Sequence, residues 1–312
     1  MKSLIIGGAG FVGPYLARHL TEIGYDVAAT KLREESSAGL SVPVYDLNIL
    51  DPDAVFELLD QLEPDDIFHL AAQSSVAVSW KNPQITADVN IKGSINVLEA
   101  VRRLAKKPRI LIAGSGEEYG TLRPEDMPVC ESTAVNPVNI YAATKACQNM
   151  IAKIYAQAYG VQAVMVRAFN HIGPGQPPVF VVPDFCRQVA WIEAGKQEAV
   201  IRVGSLDVRR DFTDVRDIVR AYVLLAKKGK IAETYNVGSG QARAVGDILN
   251  MVLANSTADI RVETDAGKLR PADMPVMEAD IGKMQQVTGW KPVIGIGQTI
   301  REMLDEWRGM VR

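Results

Sequence analysis

The first twenty residues constrain this chain more than any other stretch. Ser3-Leu4-Ile5-Ile6 is a short apolar run, Gly7-Gly8-Ala9-Gly10-Phe11-Val12-Gly13 follows without a gap, and apolar positions recur at Leu16 and Leu20. A strand buried on both faces of a parallel sheet reads as a continuous apolar run, not an alternating one. Glycines after it let the backbone turn sharply, approach a pyrophosphate closely and pack the next helix against the strand. The phosphates then meet the positive N-terminus of that helix. Two spacings fit: G-x-G-x-x-G through Gly8, Gly10 and Gly13, and G-x-x-G-x-x-G through Gly7, Gly10 and Gly13. Many glycine-rich turns match such a pattern. Its place between an opening strand and an amphipathic helix is what favours a dinucleotide site over a plain turn.

The same alternation continues. Strand-like runs at Val27–Thr30, Val42–Tyr45, Ile67–Leu70, Arg109–Ala113 and Val164–Val166 are separated by helical patterns near Pro52–Leu62, Thr86–Leu104 and Ile140–Tyr159. Strands alternating with helices imply right-handed crossovers and an α/β fold with a doubly wound parallel sheet. After Phe169 the texture changes: Gly173-Pro174-Gly175-Gln176-Pro177-Pro178 breaks the rhythm. Short strands then mix with helices near Pro183–Ala194, Val215–Leu225, Val245–Ala254 and Gln298–Trp307. We expect a dinucleotide-binding domain over residues 1–168 and a smaller substrate lobe over 169–312 at the sheet's carboxyl edge, with about 212–238 returning to the first domain.

Composition excludes several classes. At 312 residues and a net charge of −3, the chain has ample core material and no basic excess pointing to nucleic acid. No apolar stretch approaches membrane-spanning length, and the N-terminus reads as a core strand, not a signal peptide. The three cysteines, Cys130, Cys147 and Cys186, are scattered like the three histidines, without metal-ligand spacing. They read as reduced thiols of a cytosolic protein, and no metal is expected.

The sharpest chemical signal is Tyr141-Ala142-Ala143-Thr144-Lys145. Positions i and i+4 share a helix face, so phenol and ammonium project together. A phenol with a pKa near ~10 exchanges protons poorly at neutral pH, and a nearby cation favours its ionised form. Lys145 is expected to supply that field and to hold ribose hydroxyls. Such a pair is common on solvated helices; its position after the fifth strand of a sheet with a phosphate loop reverses the odds. At the carboxyl end of the preceding strand lies Gly114-Ser115-Gly116-Glu117-Glu118-Tyr119-Gly120. Ser115 offers a hydroxyl to the oxygen that Tyr141 protonates, Glu117 is a carboxylate in the same loop, and Glu118 reads as an ordinary loop charge.

Gly7/Gly10/Gly13, Asp46-Leu47, His69-Leu70-Ala71-Ala72, Asn90, Ser115, Tyr141/Lys145 and Arg210-Asp211-Phe212 together resemble the extended short-chain dehydrogenase/reductases, over essentially the whole chain. Within that branch the chain resembles the GDP-4-keto-6-deoxy-D-mannose reductases and GDP-mannose 4,6-dehydratases. Ala71–Val76, Phe169–Gln176 and Leu269–Asp273 carry the narrower match, and Phe169–Gln176 is the most reductase-like. The resemblance implies that Asp46 and Leu47 hold an adenine and that Leu70, Ala71 and Ala72 line the cofactor cleft with Phe11, Val12, Asn90 and Ala168. It implies that Asn170, Arg210 and Arg270 meet a sugar nucleotide, with Ser75, Val182, Val203 and Asp273 beside them. Arginine forks suit a diphosphate in charge and geometry.

Dehydratases of this type usually carry Asp or Ser where this chain has Gly116. An NAD-preferring site usually ends its second strand with an acid on the ribose hydroxyls; here Thr30-Lys31-Leu32-Arg33 stands there. Lys31 and Arg33 favour the 2′-phosphate of NADP(H), tempered by Glu34 and Glu35, with NAD(H) the alternative. The expected activity is NADPH-dependent reduction of a 4-keto-6-deoxy nucleotide sugar. The main rival is GDP-mannose 4,6-dehydration with bound NADP, and a non-catalytic dinucleotide sensor is the remote one. A homodimer through the helices near Thr86–Leu104 and Ile140–Tyr159 is expected from the resemblance and from apolar Ile140, Cys147, Met150, Ile151 and Ile154.

Overall fold

The computed structural model describes residues 1–268 and 274–311. The chain opens with β1 (Lys2–Ile6), α1 (Val12–Glu22), β2 (Asp26–Lys31), β3 (Val44–Asp46), α2 (Pro52–Leu62) and β4 (Asp66–His69). Two short helices follow, α3 (Val76–Lys81) and α4 (Pro83–Ala87), then a π-helical turn over Asp88–Gly93 that runs into α5 (Ser94–Arg103). Next come β5 (Arg109–Ser115), α6 (Ile140–Tyr159) and β6 (Gln162–Ala168). The long helix expected over Thr86–Leu104 is thus one path of three segments, α then π then α. Its wide turn is where Asn90 leaves the helical surface to bond elsewhere, as such bulges often do at functional sites.

The second half holds β7 (Asn170–Ile172), α7 (Val181–Glu193), β8 (Val200–Val203), β9 (Arg209–Asp214) and α8 (Val215–Lys228). It continues through β10 (Thr234–Val237), β11 (Ala242–Ala244), α9 (Val245–Leu253), β12 (Arg261–Thr264), β13 (Val276–Met277), α10 (Gly282–Thr288) and α11 (Ile296–Val311). Seven strands form one sheet in the order β10-β6-β5-β4-β1-β2-β3, and every neighbouring pair is parallel. Strand order reverses between β1 and β4, and ligands of such sheets bind outside the carboxyl ends at that point.

Local chemistry sets the element bounds. Asp51 accepts the Ala54 amide at 3.1 Å ahead of Pro52, so α2 starts with one amide capped and one absent. Asn139 caps α6 through the Ala142 amide at 2.8 Å, and Gly160 ends it at φ +69°, where a side chain would be strained. The strand expected from Val42 begins only at Val44: Pro43 has no N–H, and its carbonyl accepts Ala29 N at 2.9 Å instead.

One face of the sheet packs Leu16 and Leu20 of α1 with Ile218, Tyr222 and Leu225 of α8, joined by Met284 and Trp290. The other packs Val55 and Leu59 of α2, Val97 and Val101 of α5, and Ala152 and Ala156 of α6. Each fully buried Leu, Ile or Val contributes about 1.5–3 kcal/mol through removal from water. A third core joins α7, α9 and α11 around Phe185, Ile248, Ile300 and Leu304. Strand β9 pairs with β7, β11 and β13, and β12 pairs with β8, so the second lobe carries small sheets of its own. Among the described residues no helix is long and apolar enough to cross a membrane, and no three His, Cys, Asp or Glu side chains cluster as metal ligands.

Candidate active site

A cleft of about 1660 Å³ runs along the carboxyl ends of the sheet strands and under the second lobe. Gly7, Gly10, Phe11, Val12 and Gly13 wall it where β1 passes into α1. The glycines there meet two different needs. A Cβ on Gly13 would lie 1.9 Å from the Gly8 carbonyl oxygen, so helix and loop can touch only through glycine. Gly7, at φ +84°, sits against the Ala71 backbone, where a Cβ would approach to 2.6 Å. Gly10 faces more open space, its imagined Cβ meeting only the Gly7 carbonyl at 3.5 Å. Thr30 ties the loop down, accepting Gly7 N on its hydroxyl at 3.1 Å and Gly8 N on its carbonyl at 2.7 Å. This side-chain-free cradle at a helix N-terminus fits the pyrophosphate of a dinucleotide.

Leu70, Ala71 and Ala72 after β4, Ser115 at the end of β5 and Ala168 at the end of β6 continue the wall, as do Lys31 at the end of β2 and Leu47 after β3. Lys31 is already engaged there, donating to Asp46 Oδ1 at 2.8 Å and to the carbonyls of Leu32 and Arg33. Asp46 and Arg33 do not line the cleft. Asn90 does not either. It is fully buried, accepts Gln73 N at 2.8 Å and donates to Thr144 Oγ1 at 2.9 Å, so it holds the turn after Ala72 in place.

Tyr141 and Lys145 stand one turn apart on α6 and both face the cleft. Burial is the main influence on the phenol and pushes its pKa up; Glu117 and Glu118 add to the rise, and the Ser115 hydroxyl beside it works the other way. Lys145 is anchored within the wall. Its Nζ turns to the Ala113 carbonyl at 2.7 Å and to Gln148 Oε1 at 2.9 Å. Burial brings its own pKa down from 10.5 to about 8, against the pull of Glu118. Desolvation therefore dominates at Tyr141, and the phenol is held neutral. A neutral phenol is a proton donor.

Glu117 lines the cleft and accepts Asn139 Nδ2 at 3.2 Å. Gly116 lies under the Phe169 ring, where a Cβ would come within 3.2 Å of ring carbons. Glu118, expected to be a solvated loop charge, is fully buried and ion-paired to Arg167 at 2.9 Å. That pairing partner lies on another strand, out of reach of a local reading.

Ser75, Asn170, Val182 and Arg210 also line the cleft. Val203 is buried in the lobe core, behind Gly204 and Ser205, which do line it. Arg210 donates to the carbonyls of Arg209 and Met274. Arg270 and Asp273 lie outside the described residues. Residues that pattern reading missed include Lys268 and Arg187, both paired with Asp184 on the cleft wall, and Gln176, which donates to the His171 carbonyl at 3.0 Å. Phe11 stacks on His171 with ring centroids 6.1 Å apart, and the Tyr15 hydroxyl donates to the Pro174 carbonyl at 2.8 Å, so α1 and the second lobe touch directly.

A parallel doubly wound sheet, a glycine cradle at its switch point and a Ser/Tyr/Lys set beside it define an extended short-chain dehydrogenase/reductase. More narrowly, the chain belongs to the GDP-mannose 4,6 dehydratase family, whose model matches residues 4–303. It is 31% identical to the GDP-6-deoxy-D-mannose reductase of Pseudomonas aeruginosa PAO1, over 100% of this chain and 98% of that one. It is 29% identical to GDP-mannose 4,6 dehydratase 2 of Arabidopsis thaliana, over 97% and 86%. Among solved structures, RMD from Pseudomonas aeruginosa complexed with NADPH matches at a TM-score of 0.89 and 29% identity, over 99% of this chain and 100% of that chain. The UDP-glucose 4-epimerase of Thermus thermophilus in complex with NAD matches at 0.88 and 28%, over 99% of each.

Proposed function

We propose that this protein reduces a 4-keto-6-deoxy nucleotide sugar with NADPH, taking GDP-4-keto-6-deoxy-D-mannose to a GDP-6-deoxyhexose such as GDP-D-rhamnose. The observation that carries the choice is Gly116 itself, which puts no acid beside Glu117 and lies under Phe169, whose ring carbons a Cβ would meet at a tight 3.2 Å. The full-length similarity to a GDP-6-deoxy-D-mannose reductase supports it. A bound nicotinamide supplies the hydride. The chain's own part is to give the developing alkoxide a proton from Tyr141 and a hydrogen bond from Ser115, and to hold the reactants at close range in the cleft. Positioned proton transfer of this kind contributes about 10²–10⁴-fold. Lys145 is near the ribose side of the same wall and anchors its hydroxyls, and Arg210 meets the diphosphate.

The second reading is 4,6-dehydration of GDP-mannose, and Glu117 favours it: a carboxylate in the cleft can serve as base at carbon 5. Incubation with GDP-mannose and, separately, with GDP-4-keto-6-deoxymannose plus NADPH tests the two. Stoichiometric NADPH oxidation with the keto sugar alone supports the reductase. Conversion of GDP-mannose without net cofactor turnover, lost in Glu117→Gln, refutes it.

The dimer belongs to this reading too. Met150 and Ile154 on α6, Ile85 on α4 and Trp80 on α3 are more than half exposed on neighbouring helices, the kind of apolar face a two-fold contact covers. A cytoplasmic homodimer is the form we propose, and a monomer by light scattering at micromolar concentration refutes the dimer.

A further inference from the structure

The buried carboxylate behind the catalytic wall is unused by the chemistry above. Glu118 Oε1 accepts the Ser115 amide at 2.9 Å and Asn149 Nδ2 at 2.7 Å, while Oε2 accepts Arg167 Nε at 2.9 Å. In return the Ser115 hydroxyl accepts the Glu117 amide at 3.2 Å, completing a capping box around the turn Gly116–Tyr119. Gly114 closes the cradle, since a Cβ there would lie 2.4 Å from Glu118 Oε1 and from Asn149 Nδ2. A buried ion pair is a costly way to fill space, and well-packed apolar side chains in its place are often neutral or stabilising. The placement gains a reason from its neighbour. Lys145 bonds two neutral acceptors, the Ala113 carbonyl and Gln148; Glu118 holds Asn149, one turn further along α6, and packs against Gly114, next to Ala113, so its carboxylate sits beside the ammonium and favours that form.

We propose that Glu118 is a positioning residue for the reaction, locking the Ser115 backbone and acting as the buried counter-charge of the Lys145 ammonium. Its own turn adds Glu117 and Tyr119, α6 adds Tyr141 and Lys145, and β6 adds Arg167, whose guanidinium lies 4.5 Å over the Tyr119 ring. From β4, His69 feels Lys145 and is brought down to about 3 by burial, so it stays neutral; from α8, Tyr222 faces Tyr141 and is raised by burial. Lys145 is therefore the member of this set that titrates in the mildly alkaline range. Removing the Glu118 charge makes Lys145 lose its proton at lower pH.

The inference deepens the reductase reading, and its test has one arm that needs no substrate. Competitive acetylation with isotope-coded acetic anhydride from about pH 6 to 10, read by mass spectrometry on the cofactor-free protein, follows Lys145 directly. Glu118→Gln keeps the shape and removes the charge. Arg167→Gln keeps the carboxylate and removes the cation that offsets it, a second reading should Glu118→Gln fold poorly. In Glu118→Gln the Lys145 midpoint should fall by about half a pH unit or more, about threefold in its ammonium-to-amine ratio, and in Arg167→Gln it should rise. In Glu118→Asp it should stay near its original place. The alkaline limb of the pH profile for NADPH oxidation should move with the midpoint. An unmoved Lys145 midpoint in the folded variants overturns the proposal. A moved midpoint in a protein that leaves the keto sugar unreduced upholds it and sinks the reductase reading instead.

Discussion

Replacing Lys145 with Met should stabilise the cofactor-free protein at neutral pH, and the gain should vanish as pH rises. Burial lowers the Lys145 pKa from 10.5 to about 8. A drop of that size corresponds to about 3 kcal/mol of penalty for holding the ammonium inside the fold. Methionine removes the charge at similar length but leaves the Ala113 carbonyl and Gln148 Oε1 without their donor, at about 1 kcal/mol each. The net gain at pH 7 is about 1 kcal/mol. The sign with pH follows from linkage: between the folded and unfolded values the unfolded chain binds more protons, so wild-type stability rises with pH there. By pH 9.5 about 2 kcal/mol of the wild-type penalty has gone, and the variant should be the less stable by about 1 kcal/mol. Urea unfolding of both proteins at pH 7, 8 and 9.5 reads the difference, and taking the difference cancels titrations that they share. A gap constant across that range would refute a desolvated ammonium at Lys145.

Three further outcomes follow from the same geometry. Tyr141→Phe removes the proton donor and keeps the ring, so turnover should fall by about 10²–10⁴-fold with NADPH affinity little changed by fluorescence titration; near-normal turnover would sink the assignment. Gly13→Ala sets a methyl against the Gly8 carbonyl and should abolish cofactor binding, leaving the circular dichroism of the sheet intact. Lys31→Ala should weaken NADPH more than NADH, while Arg33→Ala, which lies off the cleft wall, should change the two affinities by similar small amounts; calorimetric titration with each cofactor decides.

The sheet was readable because its strands are apolar runs and its helices carry their own stop signals. Asn139 and Gly160 bound α6 within the chain that forms it, and the i, i+4 pair on its first turns needs no tertiary information. The second lobe was legible only as helices. Its strands are two to six residues long, and β9 finds partners before and after itself in sequence, so no local alternation marks them. Glu118 shows the same limit at one residue. A glutamate in a loop reads as solvated until Arg167, 49 positions away, comes to rest beside it. Spacing sets Lys145 one turn from Tyr141, but its desolvation is a property of everything around it and of no motif.

The outermost strand β10 and helix α8 carry a consequence for how the chain is made. Both come from the second half of the sequence, yet β10 pairs along β6, and Tyr222 and Leu225 of α8 cover the face that Leu16 and Leu20 of α1 present. As the chain leaves the ribosome, the nucleotide-binding layer is still missing an edge strand and a covering helix after residue 168 has emerged. Until Val237 follows, β6 offers an open parallel edge and α1 an uncovered apolar side, a template for wrong pairing. The intervening residues of the second lobe span the gap as a long closed loop, so the slow step of folding falls on a non-local closure. A fragment cut at the apparent end of the first domain should therefore be aggregation-prone, while a chain that carries α8 and β10 together with α9 and α11, which cover α7, should be soluble.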